Sequence, residues 1–175
     1  MNTGPDPFAR FRQDHALVLA RIDDLEQQWL LPASPRHDAA LRAPLALLEH
    51  QFATHMAAED GVLYPAIQGA FPTGRATLEA LRADHAELRL MLETLLQGVG
   101  APASAARDEQ LQVVLRDFVD LLRLHIHREE SAVFDVASRV LSITEAAALA
   151  LRIAPTAQSN LPGAAGPGSP KGTES

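Results

Sequence analysis

FATHMAAEDGVLYP, residues 52–65, and LRLHIHREESAVFD, residues 122–135, each carry a histidine followed by a glutamate four positions later: His55 with Glu59, and His125 with Glu129. Positions i and i+4 are neighbours on one helix face, so each stretch reads as a helix that aims an imidazole and a carboxylate in the same direction. A further histidine stands forty residues before each pair, His15 before His55 and His85 before His125. Every member of the first set reaches its counterpart by adding seventy. Asp14/Asp84, Ala16/Ala86, Leu25/Leu95, Leu41/Leu111 and Leu45/Leu115 also coincide, and Pro32-Ala33-Ser34 recurs as Pro102-Ala103-Ser104. That period is too long, and two copies too few, for a solenoid. Two helical hairpins, 8–70 and 78–140, docked about a pseudo-two-fold axis are expected.

Apolar spacing supplies the helices. Phe8, Phe11, His15, Val18, Ile22, Leu25 and Trp29 alternate steps of three and four, one face of a helix. Leu78, Leu81, His85, Leu88, Leu92, Leu95 and Val99 repeat that face seventy residues on. A second seam runs Leu41, Leu45, Leu48, Phe52, His55, Glu59, Val62, Ala66, and its counterpart runs Leu111, Leu115, Phe118, Leu122, His125, Glu129, Ala132, Val136. The fold class is therefore all-α: an up-down-up-down antiparallel four-helix bundle with an internal pseudo-repeat. Asp6-Pro7 and Ser34-Pro35 read as helix starts, whereas Pro44 should kink its helix or delay its start. Phe71 to Gly74 reads as a turn and Gly98 to Ala106 as a loop. Thr144 to Ile153 reads as a short extra helix, which closes a domain spanning 1–153. Residues 154–175 are rich in Pro, Gly and Ser and read as a disordered tail. In an antiparallel bundle, residues equally far from a turn share a level. The midpoints between successive candidate ligands fall near 36, 71 and 106, in the three connections, so all six candidates lie at one level.

Composition narrows the chemistry. A chain of 175 residues suits one domain of ordinary core size. With no cysteine, zinc–thiolate and iron–sulfur sites are excluded, and His, Asp and Glu remain as ligands. The net charge of −7, with scattered basic residues, argues against nucleic-acid binding. No apolar run reaches membrane-spanning length and the start lacks the pattern of a secretion signal, so a soluble cytoplasmic protein is expected.

Two glutamates on buried seams, with no Lys or Arg among the seam positions to neutralise them, would cost several kcal/mol each. Two divalent cations would compensate them. The expected ligands are His15, His55, Glu59, His85, His125 and Glu129, with His15 grouped with His55, His85 with His125, and both glutamates bridging. A bridging oxide or hydroxide would complete the core and leave an open position on each ion. Surface roles are expected for His37, His50 and His127, and solvated roles for Asp60 and Glu130. Asp14 and Asp84 diverge from their neighbouring histidines by about 100° and should not ligate directly. Tyr64, whose counterpart is Phe134, reads as core.

Asp14-His15, His55-x-x-x-Glu59 with Leu63-Tyr64-Pro65, Asp84-His85, and His125-x-x-x-Glu129-Glu130 with Val133-Phe134, in this order and spacing, resemble the hemerythrin-like HHE cation-binding family. The resemblance spans about 8–140. It implies a four-helix bundle around a non-haem di-iron centre that binds O2 or NO. This chain departs from the oxygen-carrying members in two ways. Arg89 stands where they have a further histidine, and the last ligand is Glu129, four residues after its histidine, where they have an aspartate five after. A symmetric site of four histidines and two glutamates looks more like the bacterial branch, where oxygen or nitric oxide sensing, iron handling and repair of damaged iron centres are known. Zinc or manganese also suits His/Glu donors. An enzyme acting on peroxide or nitric oxide and a metal-dependent regulatory module are the alternatives. No separate acid, base or substrate pocket is legible, which leans against catalysis. The sequence identifies no protein partner and no oligomeric state.

Overall fold

The computed structural model describes Asp6, residues 8–29 and residues 35–153. The expected tail, the Pro32–Ser34 loop, Pro7, Ser34 and the His37 side chain lie outside the described residues. Among those described the regular structure is entirely helical: α1 (Ala9–Trp29), α2 (Pro35–Ala58), α3 (Tyr64–Ala70), α4 (Arg75–Gly98), α5 (Ala105–Arg128), α6 (Asp135–Val140) and α7 (Ile143–Ile153). None of these helices is long and apolar enough to cross a membrane. α1 packs on α2 and α5, and α4 packs on α5 and α2, so four long helices close a ring around a shared interior.

Of the two expected helix starts, the one at Asp6 is seen, and two further caps stand at Ser104 and Ser142. The Asp6 carboxylate accepts from the Phe8 N–H at 2.9 Å, and Ser104 Oγ accepts from the Arg107 N–H at 3.2 Å, each satisfying an amide that the first helical turn leaves free. Ser142 and Glu145 exchange bonds at the start of α7, Ser142 N–H to Glu145 Oε2 at 2.9 Å and Glu145 N–H to Ser142 Oγ at 3.2 Å, a capping box. Pro44 does not delay α2, which runs through it from Pro35. Its missing N–H removes one bond from the ladder, but Leu41, Leu45 and Leu48 on that stretch are buried, and their packing outweighs the proline. The expected loop from Gly98 to Ala106 is shorter than predicted, because α4 includes Gly98 and α5 begins at Ala105. A Cβ at Gly98 would run into the Leu111 side chain, so the glycine lets α4 and α5 approach closely.

One departure bears directly on the site. Both glutamate-bearing helices widen into a π turn at the glutamate, Glu59–Leu63 after α2 and Glu129–Phe134 after α5. In the first, the Tyr64 N–H reaches back five residues to Glu59 O. Each π turn inserts one extra residue, so everything beyond it moves one position around the helix. The predicted seam Val62, Ala66 gives way to buried Leu63, Tyr64 and Ile67, and Ala132, Val136 give way to buried Val133, Phe134 and Ala137. Pro65, with no N–H to offer an α ladder, accounts for the first π turn. The second contains no proline, and its cause is not legible in the residues.

The core divides into two apolar clusters. One gathers Val18, Ile22, Leu25, Leu45, Phe52, Met56, Leu88, Leu92, Phe118 and Leu122. The other gathers Phe8, Phe11, Leu63, Tyr64, Leu81, Val133, Phe134 and Leu149. His15 falls in sequence between Phe11 of one and Val18 of the other, and the polar residues of the interior lie in this gap.

Candidate metal centre

Five polar residues are buried among the described core: His15, Glu59, His85, His125 and Glu129. His55 keeps 12 % of its side chain exposed. These six are the predicted ligands, and the structure brings all of them together. His15 Nε2 and His55 Nε2 are 3.0 Å apart, and His85 Nε2 and His125 Nε2 are 3.2 Å apart, which matches the expected grouping. Glu59 Oε1 lies 2.7 Å from His55 Nε2, and its Oε2 lies 3.3 Å from His85 Nε2. Glu129 Oε2 lies 3.2 Å from His15 Nε2. Ligand atoms of His15, His55, Glu59 and Glu129 all fall within 4.8 Å of one another, as do those of Glu59, His85 and His125. Glu59 therefore belongs to both groups, whereas Glu129 belongs to the first alone. Two symmetric bridging carboxylates were expected, and the geometry joins the groups through one.

The donor set fits a cation. Both oxygens of Glu59 and both of Glu129 are buried without an aligned hydrogen-bond donor, although imidazole nitrogens crowd them at close range. Buried carboxylate oxygens are almost always satisfied, and leaving four of them without donors inside a core is unfavourable unless positive charge sits among them. Nitrogen and oxygen donors with no thiolate suit iron, zinc or manganese.

The residues read as solvated have a defined place. His15 Nδ1 is 3.0 Å from Glu130 Oε1, and His85 Nδ1 is 3.1 Å from Asp60 Oδ1. His55 Nδ1 is 3.5 Å from Asp14 Oδ2, and His125 Nδ1 is 3.6 Å from Asp84 Oδ2. His15, His55 and His85 thus turn Nε2 inward and hydrogen-bond a carboxylate through Nδ1, which fixes the ring and the nitrogen that carries the proton, whereas His125 Nδ1 is buried without a hydrogen bond. The four carboxylates obey the seventy-residue repeat, Asp14 with Asp84 and Asp60 with Glu130. The π turns explain why Asp60 and Glu130 were missed. In an α-helix they would diverge by about 100° from the buried glutamates before them, whereas the wider turn brings both members of each pair toward the interior. Arg89, at the position of the additional histidine, is 3.4 Å from Asp60 Oδ2, and Arg12 is 3.7 Å from Glu130 Oε2. An arginine therefore backs each carboxylate that spans the two halves. His50 and His127 are exposed, as expected.

Electrostatics follow from this crowding. Burial opposes charge on His15, but Glu129, Glu59 and Glu130 outweigh it and raise its pKa to about 10. Burial likewise opposes charge on His55, which Glu59 and Asp14 nevertheless raise to about 9. His85 is raised against its burial by Glu59 and Asp60. His125 is lowered to about 3, first by burial and then by repulsion from His85. Burial and the Glu59 charge raise Glu129 to about 7. Glu59 itself is held well below its usual value despite burial, by His55, His15 and His85. Tyr64 is wholly buried, its ring stacks on His85 with centroids 5.7 Å apart, and its hydroxyl has no partner. Burial and the adjacent Glu59 and Glu129 carboxylates push its pKa up. Phe134, its counterpart, stacks on His15 at 5.8 Å.

A small cavity of about 10 Å³ adjoins the cluster, lined by Val18, Phe52, Met56, Leu122 and Ile126 and by the rings of His15, His55 and His125. It has room for about one water-sized particle. A family model described as hemerythrin HHE cation binding domain matches residues 6–137. No curated protein matches the chain.

Proposed function

The chain belongs to the hemerythrin HHE cation-binding family, and from that premise we propose that it holds a pair of iron ions and binds dioxygen or nitric oxide beside them. His15, His55 and Glu129 would hold one ion and His85 and His125 the other, with Glu59 within reach of both groups. The observation that carries the reading is the convergence of four imidazole Nε2 atoms on four carboxylate oxygens that have no hydrogen-bond donor. The pairing of residues seventy apart, and the ring of α1, α2, α4 and α5, support an up-down-up-down bundle with two related halves. The iron pair supplies open coordination positions and one-electron chemistry toward a diatomic ligand.

The protein's own groups set how that chemistry is used. Asp14, Asp60 and Glu130 fix the imidazoles of His55, His85 and His15 and raise their donor strength through Nδ1. The apolar cavity over His15, His55 and His125 favours a small uncharged ligand and has no room for a larger one. Apart from the six ligands, the interior polar group nearest the cluster is the Tyr64 hydroxyl, held neutral by its surroundings. Beyond that hydroxyl, the polar groups seen at the cluster among the described residues are its ligands and their carboxylate partners, beside a small apolar cavity, which favours binding over turnover, for sensing, storage or iron handling in the cytoplasm. The test is optical. Iron-loaded, reduced protein should develop a charge-transfer band on exposure to oxygen or nitric oxide. A protein that binds iron with no spectral response to either gas would refute the reading.

A further inference from the structure

A cleft of about 230 Å³ opens between α1 and α2, and Asp14, Val18, Gln51, Thr54, His55 and Ala58 line it. Its volume holds about seven waters, and its inner end is the edge of His55. That edge is the one place where the six-residue cluster reaches solvent to any extent. His55 keeps 12 % of its side chain exposed, against 3 % for His15 and His125 and none for His85. Val18 and His55 line both this cleft and the small apolar cavity over the imidazoles, so these two side chains stand between the two spaces. Gln51 Oε1 is buried with no partner, a free acceptor on the way in.

The equivalent place in the other half is built from larger side chains. Gln51, Thr54 and Ala58 correspond to Leu121, Leu124 and Arg128. Arg128 lies across that position, its Nη1 3.5 Å from Asp84 Oδ2. Asp84 is the counterpart of Asp14, so the guanidinium occupies the place that Ala58 leaves open. We propose that the α1–α2 cleft is the port through which small ligands reach the metal pair, past Val18 and His55, and that Arg128 seals the equivalent place in the second half.

The port rests on the proposed metal site, and the experiment separates the two. The probe is nitric oxide mixed with the reduced, iron-loaded full chain, and the readout is the association rate. Ala58→Arg copies the seal of the second half, with Asp14 positioned to receive the new guanidinium. Thr54→Trp fills the same cleft by bulk and serves where Ala58→Arg does not fold, as judged by circular dichroism. Both should slow association at least ten-fold, should slow zinc uptake by the metal-free chain, and should leave metal content at saturation unchanged. Arg128→Ala should not slow it. Wild-type protein that takes up iron and binds nitric oxide, with both blocked variants within two-fold of its rate, overturns the port and leaves the metal site standing. Wild-type protein that gives no nitric oxide signal removes the metal reading, and the port with it.

Discussion

Removing the metal should make stability fall as pH rises. Without metal, the neighbouring carboxylates hold His15 protonated up to about 10 and His55 up to about 9, whereas an unfolded histidine titrates near 6.5. The folded chain then binds more protons than the unfolded one. The stabilisation is fully present below about 6.5 and is lost as pH rises through 9 and 10. Between about pH 7.5 and 8.5 two extra protons are bound in the folded state. Each contributes a slope of about 1.36 kcal/mol per pH unit, so stability should fall by about 2.7 kcal/mol per unit. His85, raised as well, adds to the fall. His125, lowered to about 3, acts with the opposite sign, but only below 6.5, and Glu129, raised to about 7, has finished titrating by then. Metal ligation displaces these protons. At fixed free zinc, neither the folded nor the unfolded state then binds the extra protons above about 7.5, and the curve should be flat. The assay is thermal melting followed by circular dichroism at pH 7.5 and 8.5, in chelator and in saturating zinc. For a chain of this size, 2.7 kcal/mol corresponds to about 5–10 °C in Tm. A metal-free Tm that holds or rises over this interval, or a zinc-loaded Tm that falls as steeply, would refute the reasoning.

Five substitutions address three separate parts of the site. Glu59→Gln should abolish binding of both ions, whereas Glu129→Gln should retain about one per chain, because Glu59 alone belongs to both groups; elemental analysis counts them, and equal losses would contradict the single link. Asp60→Asn and Glu130→Gln should each weaken metal affinity about 10- to 100-fold with the fold intact, as read by competition with a chelator; unchanged affinity would mean that the Nδ1 contacts do no positioning. Tyr64→Phe deletes a buried hydroxyl that has no partner, so the urea midpoint of metal-free protein should change by less than about 1 kcal/mol equivalent; a larger loss would reveal a hydrogen bond to that hydroxyl.

The helical seams and six site residues were legible because both rest on period. Steps of three and four put Phe11, His15, Val18 and Ile22 on one buried face, and the seventy-residue offset singled out the histidines and glutamates from other polar residues. Chain positions also put all six residues at one level, since residues equally far from a turn meet there; the His15/His55 and His85/His125 grouping was a hypothesis that this level alone does not select. What the sequence hid was the backbone exception at Glu59 and Glu129. A π turn changes the angle between consecutive side chains by a fraction of a turn, and no residue in Glu129–Phe134 announces it. That single shift moved the seam to Leu63 and Val133, and it turned Asp60 and Glu130 from solvated acids into partners of His85 and His15. The asymmetry of Glu129 was hidden for a different reason: the repeat predicts equal roles, while the distances depend on how the two halves pack.

The central claim is that six side chains hold two ions side by side. Anomalous diffraction from crystals of the metal-loaded full chain tests it most directly. Two peaks about 3.5–4 Å apart are expected, as in other two-metal sites, one within bonding distance of His15, His55 and Glu129, the other of His85 and His125, and both of Glu59. A single peak, or two peaks bound elsewhere on the chain, would contradict it.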